Sequence, residues 1–237
     1  MLKSDTGNVE GVTKRLVLWD IDHTLVNCAG LGVSWYTGAL AASTGLELVV
    51  APVFAGGTER ATTVELLEAH GIEPTEEAVQ ALWHALVTEC ERELERLPVE
   101  GRALPGAAAA LKALAARGDV VQSLVTGNLP EISRYKLTAF GLHEHVDFEI
   151  GGYGTLSVHR HDLVPHAVSL AAAKHATSFT PDVVVVVGDT PKDVEAALHH
   201  GAMAVAVATG NYTADQLRDA GAHTVLPDLS DFAAILG

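Results

Sequence analysis

The chain has 237 residues, 48% of them hydrophobic, and carries a formal charge of −15. That length can bury a sizeable core as one large domain or as a domain with a smaller insert. The charge gives neither nucleic acid nor an anionic membrane surface any general attraction, so neither is expected as a partner. The prominent apolar run Val183 to Val187 is far too short to span a bilayer. Cys28 and Cys90 are the only cysteines and lack metal-ligand spacing, which argues against a disulfide scaffold or structural zinc and for a reduced, cytoplasmic setting. Met1 to Arg15 has no signal-peptide core and is expected to be a partly disordered lead-in.

The first predicted element is the apolar run Leu16 to Trp19, which ends abruptly in Asp20-Ile21-Asp22-His23-Thr24. Continuous apolar character marks a parallel strand covered on both faces, and ligands of open α/β sheets bind beyond the carboxyl ends of such strands. Asp20 and Asp22, two apart in an extended segment, can face one ligand while Ile21 packs the other way. One carboxylate can attack while its neighbour moves a proton. A turn in which both acids merely cap loops explains a lone Asp-x-Asp equally well, so the rest of the chain must decide.

From about Asn27 to Pro98 the pattern is helical throughout: one amphipathic stretch holds Trp35, Leu40 and Leu46, a second Val64, Leu66 and Leu67, and a third runs from Ala78 to Leu97. Thr75-Glu76-Glu77 gives the third an acidic start beside its positive end. We read this segment as an insert over the first strand's carboxyl end. Arg60 is a candidate to reach a ligand from it, although a solvated helix-start arginine is the commoner situation.

From Leu104 the chain alternates regularly between helix and strand. Pro105-Gly106 opens an Ala- and Leu-rich crossover helix that runs to Gly118, and Val120 to Val125 forms a strand ending in Thr126-Gly127-Asn128 before a helix with Pro130 and Glu131 in its first turn. A helix start offers unpaired amides and a positive dipole end, so Thr126 with Gly127 and Asn128 can hold a phosphoryl oxygen. Thr209-Gly210-Asn211 repeats this triplet later, where a plain strand-to-helix turn is the better reading. Lys136 follows on the helix after Asn128, and Arg160 lies in a loop from Gly151 to Asp162. Either is a candidate phosphate partner. His159 and His161 lack a matching distant ligand pair and read as loop residues. Val183 to Val187 is a strand too β-branched for a surface, and it delivers Gly188-Asp189-Thr190-Pro191-Lys192-Asp193. Neighbouring strands would bring Asp189 near Asp20, and such hard oxygen donors suit Mg²⁺. Ala202 to Val207, a capping-box helix start at Thr213 to Gln216 and a short strand from His223 to Leu226 complete the scaffold.

Asp-x-Asp-x-Thr at Asp20 to Thr24, Thr-Gly-Asn at Thr126, a basic residue, and Gly-Asp-x-x-x-Asp at Gly188 to Asp193 stand in the order of the haloacid dehalogenase-like hydrolase superfamily. The likeness runs from Leu16 to the end, and the insert resembles the helical cap of its phosphoglycolate phosphatase-like branch, with Gly56-Gly57-Thr58-Glu59-Arg60 similar to that cap's glycine-containing turn.

The resemblance implies a doubly wound, mainly parallel Rossmann-like α/β sheet, its core formed by residues 1–26 and 99–237 and its helical cap by 27–98. It implies a Mg²⁺-dependent phosphatase acting on a small phosphorylated metabolite, in which Asp20 forms an aspartyl-phosphate, Asp22 is acid and then base, and Thr24 orients the nucleophile's loop beside the substrate. Asp20, the Asp22 carbonyl and Asp189 would hold the metal, with Asp193 positioning a ligand or water. The family places a Lys or Arg between its second and last motifs; we expect Arg160 in that role, with Lys136 the alternative. His23 stands where relatives usually have Gly, a position of positive φ that His tolerates better than most. Dehalogenases proper lack the second Asp, and phosphonate-cleaving relatives use a cap lysine where this chain has none between Lys14 and Lys112. A phosphomutase and a non-catalytic binder of a phosphorylated ligand or protein are the alternatives. Oligomeric state is left open.

Overall fold

The computed structural model describes residues 14–235. Six parallel strands form one sheet in the order β5-β4-β1-β6-β7-β8. They are β1 (Arg15–Trp19), β4 (Val120–Thr126), β5 (Gly152–Tyr153), β6 (Val184–Gly188), β7 (Met203–Val207) and β8 (Thr224–Leu226). β1 lies at the centre, with Trp19 paired to Leu124 on one side and Val187 on the other. The expected lead-in at Met1 to Arg15 falls outside the described residues except at its end, where Arg15 already opens β1.

The sheet is covered on both faces, and the twofold alternation of a strand explains how. Val17, Trp19, Val185, Val187, Val205 and Val207 join one core. Leu16, Leu18, Val184, Val186, Ala204 and Ala206 join the other. The first core packs on α5 (Ala107–Ala115) and α6 (Pro130–Ala139), the second on α7 (Leu163–His175) and α8 (Pro191–His200). Burying each such Val or Leu is worth about 1.5–3 kcal/mol, which is why these strands read as unbroken apolar runs. Trp19 is fully buried against Phe232, and its indole N–H donates to Gln122 Oε1 at 3.2 Å, so the polar edge of this large side chain is satisfied.

Between β1 and β4 the chain leaves the sheet through β2 (Val26–Asn27) and returns through β3 (Arg102–Ala103), which pair antiparallel. The segment between them holds α1 (Leu31–Thr44), α2 (Glu59–Ala69), α3 (Glu76–Arg92) and the short α4 (Leu97–Glu100). It is not helical throughout. Gly45 takes a positive φ of 76° and closes α1, so residues 45–58 run as a loop and Leu46 lies exposed rather than on the helix face. Thr58 and Thr75 cap α2 and α3, accepting from the amides of Ala61 and Ala78. Thr190 and Thr213 make full capping boxes at α8 and α9 (Ala214–Asp219). Gly152–Tyr153, expected in a loop, is the edge strand β5: two residues carry no periodicity, and only the tip of β4 reveals the pairing.

Candidate active site

The strands deliver their polar ends to one place. Asp20 continues the β1–β6 ladder, its amide donating to the Val187 carbonyl at 2.8 Å, which seats it beside Gly188 and Asp189. After Asp20 the chain turns back on itself through amides donated to the Ile21 carbonyl, and His23 takes φ 59°, the left-handed conformation expected of the usual glycine. Asp20, Asp189 and Asp193 are all buried, and one carboxylate oxygen from each lies within 4.8 Å of the others. Asp193 turns Oδ2 back to the Thr190 amide and hydroxyl, as the capping box requires, and leaves Oδ1 facing the cluster.

One cation pairs with two of these three acids. Arg160, itself buried, places Nη2 2.6 Å from Asp20 Oδ1 and 2.6 Å from Asp193 Oδ1. Burial and repulsion from neighbouring carboxylates raise the pKa of Asp20 against the opposing pull of Arg160, and burial followed by Asp20 and Asp193 raises that of Asp189. Three buried carboxylates against one guanidinium leave negative charge uncompensated. A hard divalent cation fits that donor set and would remove the repulsion.

Asp22 belongs to a second, separate arrangement. Lys136 Nζ donates to both its oxygens, at 2.8 and 2.6 Å, and to Asn128 Oδ1 at 2.7 Å; Asn128 Nδ2 returns a bond to Asp22 Oδ2 at 2.8 Å. Burial alone would raise the Asp22 pKa, but the charge and hydrogen bonds of Lys136, with Asn128, lower it below the usual carboxylate value. Lys136 stands on the buried face of α6, with Ile132 and Ser133, and that face brings its ammonium to Asp22. The two basic candidates therefore divide the work: Arg160 holds Asp20 and Lys136 holds Asp22.

A cavity of about 370 Å³ opens above these groups, between the sheet edge and the α1–α3 segment. Asp20, Asp22, Gly127, Asn128 and Arg160 line it from the sheet, and Trp35, Tyr36, Phe54 and Glu59 from the helical segment. The two sides are stitched by backbone bonds: Glu59 N–H to the Gly127 carbonyl at 2.8 Å and Arg60 N–H to the Gly154 carbonyl at 2.9 Å. Gly127 must be glycine for this approach, since a Cβ there would stand 2.1 Å from the Gly57 carbonyl oxygen.

A single family model covers this whole arrangement, matching residues 17–198 as haloacid dehalogenase-like hydrolase. The chain belongs to that family. A curated relative, phosphoglycolate phosphatase of Rhodospirillum rubrum, is 33% identical over 142 residues, 59% of this chain and 56% of the relative, so the match spans little more than half of that protein's length. Among solved structures, a hydrolase from Pseudomonas syringae superposes with a TM-score of 0.63 at 22% identity, covering 94% of this chain and 98% of that one. A protein of Haemophilus somnus described as a predicted phosphoglycolate phosphatase gives 0.67 at 20% identity over the same shares. These likenesses are of fold.

Three expected substrate contacts of this hydrolase are placed elsewhere. Arg60 turns away from the cavity: its Nε donates to the Thr155 carbonyl, its other nitrogens to Glu76, and its guanidinium stacks over Trp83, so its donors are engaged outside the cavity. Thr24 is fully buried beneath the site, its hydroxyl shared between Asp20 Oδ2 at 3.5 Å and Asp189 Oδ1 at 3.4 Å, so it braces carboxylates and does not line the cavity. Thr126 is likewise buried, accepting from the amide and side chain of Asn128. The Asp22 carboxylate, turned to Lys136, stands outside the acidic cluster.

Two features went unread in the sequence. Thr209-Gly210-Asn211, taken for a plain turn, reaches the site: Thr209 Oγ1 donates to the His23 carbonyl, Gly210 packs on the Asp189 carboxylate, and Asn211 lines the cavity. Glu59, an acid at a helix start and so unremarkable by pattern, stands in the cavity wall.

Proposed function

We propose that this hydrolase is a phosphatase that cleaves small phosphomonoesters through an aspartyl-phosphate on Asp20, with residues 27–98 serving as a cap over the α/β core. The observation that carries the reading is the separation of the two acids of one strand end into different partnerships, Asp20 with Arg160 and Asp22 with Lys136 and Asn128. An oxygen of Asp20 attacks phosphorus, the bond to the alcohol oxygen breaks, and that oxygen takes a proton from Asp22. A water then attacks the phosphorus of the aspartyl-phosphate, giving its proton to Asp22 and freeing Asp20 and inorganic phosphate. Asp22 starts ionised beside Lys136, so it is ready as the base, and it must gain a proton as the substrate binds before it serves as the acid. Arg160 offsets charge on the nucleophile and on the entering phosphoryl group, for which a forked guanidinium is suited. The Gly127 and Asn128 side of the cavity, at the start of α6, supports an anion by its amides and dipole end.

Asp20, Asp189 and Asp193, with the Asp22 carbonyl, would hold Mg²⁺, which when bound supplies positive charge to the transferring phosphoryl oxygens. The curated relative's printed activity supports a phosphomonoester substrate. Asp20→Asn tests the reading: turnover of any phosphomonoester is expected to fall by about a thousandfold or more with the thermal transition retained. Full activity in that variant would refute Asp20 as nucleophile.

A further inference from the structure

Three residues other than glycine take a positive φ among the described residues, and two of them have a local reason. Ala176 caps the end of α7, and Ala29 closes a turn by donating its amide to Asn27 Oδ1. His23, at φ 59°, has no such reason. A side chain in the left-handed region carries strain that glycine avoids, and Asn or Asp offset it there by hydrogen-bonding locally. The His23 ring does not, for it has no hydrogen-bond or stacking partner among the described residues.

Its backbone, by contrast, is pinned on both sides. The amide donates to the Val26 carbonyl at 2.7 Å, and the carbonyl accepts from Thr209 Oγ1. The residue so held stands in the wall of the cavity, and its ring lies within electrostatic reach of the Asp22 carboxylate. Its nitrogens are accessible: His143, His175 and His200 each shut one away without a partner, and His23 shuts away neither. A strained, pinned residue with unused hydrogen-bonding atoms in a cavity is accounted for by what enters the cavity.

Position says which part of a ligand it meets. On the phosphatase reading Asp22 protonates the leaving oxygen, so a ring beside Asp22 stands on the leaving-group side of the phosphorus. Asn211 lines the same cavity from the loop that Thr209 ties to His23, and a Cβ added at Gly210 would stand 3.2 Å from His23 Cβ. Two loops of the α/β core thus bring polar side chains to the cavity, independently of the helical segment.

We propose that His23 determines specificity by hydrogen-bonding an oxygen on the alcohol portion of the substrate near the ester, so that oxygenated alcohols are selected over plain alkyl ones. An imidazole offers a donor nitrogen to a carboxylate, and a donor or an acceptor to a hydroxyl. The proposal rests on the phosphatase reading and narrows it, placing a determinant of substrate choice in the core.

Three two-carbon probes test it with Mg²⁺ present: ethyl phosphate, 2-hydroxyethyl phosphate and 2-phosphoglycolate, which differ only at the second carbon. For at least one oxygenated probe the wild type is expected to show a kcat/KM about fivefold or more above that for ethyl phosphate, the scale of one hydrogen bond. The probe that gains tells hydroxyl from carboxylate. His23→Gly should bring the ratio within about twofold, through KM. His23→Asn, which also tolerates this φ and keeps a donor and an acceptor, should restore part of it. No preference in the wild type, or one unchanged in His23→Gly, would overturn the proposal. Stability separates a ligand contact from a structural one: the Tm of His23→Gly should hold or rise as strain is released, and a fall of several degrees would assign the ring to the fold and refute the proposal. Calorimetric binding to Asp20→Asn, with and without His23→Gly, reads the preference without turnover. An oxygenated probe bound more tightly only while the ring is present supports the contact, and equal affinities or an undiminished preference refute it. Failure to hydrolyse any phosphomonoester, p-nitrophenyl phosphate included, while that binding preference holds, would strike down the phosphatase reading and leave His23 as a ligand contact.

Discussion

Arg160 and Lys136 are both buried cations, each on one of the two carboxylates we propose as catalytic, yet removing each should leave a different signature. Arg160→Met strips Asp20 and Asp193 of their guanidinium partner beside a third buried acid, Asp189, and an uncompensated buried charge is costly. We expect kcat/KM to drop by about a hundredfold or more, with weaker binding of inorganic phosphate as product inhibitor. Lys136→Met frees Asp22 from the interactions that hold its pKa low. The Asp22 pKa must then rise, the protonated form persists to higher pH, and the basic limb of the kcat/KM profile should move upward while kcat falls. A profile that keeps its basic limb in Lys136→Met would remove Lys136 from the control of Asp22. Much of this arrangement was legible in the sequence, because Asp20 and Asp189 stand at the ends of apolar runs that only a doubly covered strand explains. The partnership of each base was not, since spacing gives reach along one helix and says nothing about how that helix approaches its neighbour. Arg60 shows the same limit: its number placed it near the cavity, and Glu76 with the Thr155 carbonyl turned it away.

At the scale of elements, the strand ends matter less as tips than as a set of abutting loops. The loop after β7 touches the loop after β1 through Thr209 and the β6 end through Gly210, where an added Cβ would stand 1.8 Å from Asp189 Oδ2. Gly210→Ala must therefore displace either the loop or the Asp189 carboxylate, a strain of about 1–3 kcal/mol by the usual cost of overpacking. We expect the Mg²⁺ concentration for half-maximal activity to rise and kcat to fall, with a modest loss of thermal stability. Wild-type metal dependence in that variant would mean that the loop yields and has no hold on Asp189. Sequence alone could not separate this triplet from its twin at Thr126, for both are a strand end, a glycine and a polar residue. Which of them faces a site depends on what lies across the sheet edge. The helices were legible where an acidic start or a capping box announced them, as at Thr75 and Thr213, less so at Thr190, whose capping box hides within the acidic motif, and least so in the loop 45–58, where apolar residues such as Val49 and Val53 carry no fixed period and lie exposed.

Across the whole molecule the buried acidic cluster ties folding to pH, and with it to any metal that the cluster holds. An acid whose folded-state pKa is raised favours the fold while protonated and opposes it once ionised, so the contribution of Asp20 and Asp189 is full below the ordinary value of 3.8 and is lost as pH rises through their elevated folded values. Metal-free protein should accordingly lose stability as pH climbs from about 4 toward neutrality and beyond, and Mg²⁺ should restore it, raising Tm by mass action in a concentration-dependent way. Thermal scans with chelator and with Mg²⁺ across that range check this, and assays in chelator should show activity abolished. A Tm indifferent to Mg²⁺ at neutral pH would count against metal binding at these residues. The antiparallel pair β2–β3 has a different kind of consequence. Because the polypeptide crosses out of the sheet and back into it side by side, the helices between the crossings can drift, lengthen or be exchanged over generations without altering the pairing of β1 with β6 that sets Asp20 beside Asp189. Descent can therefore rewrite what such a protein accepts while inheriting unchanged the way it breaks a bond.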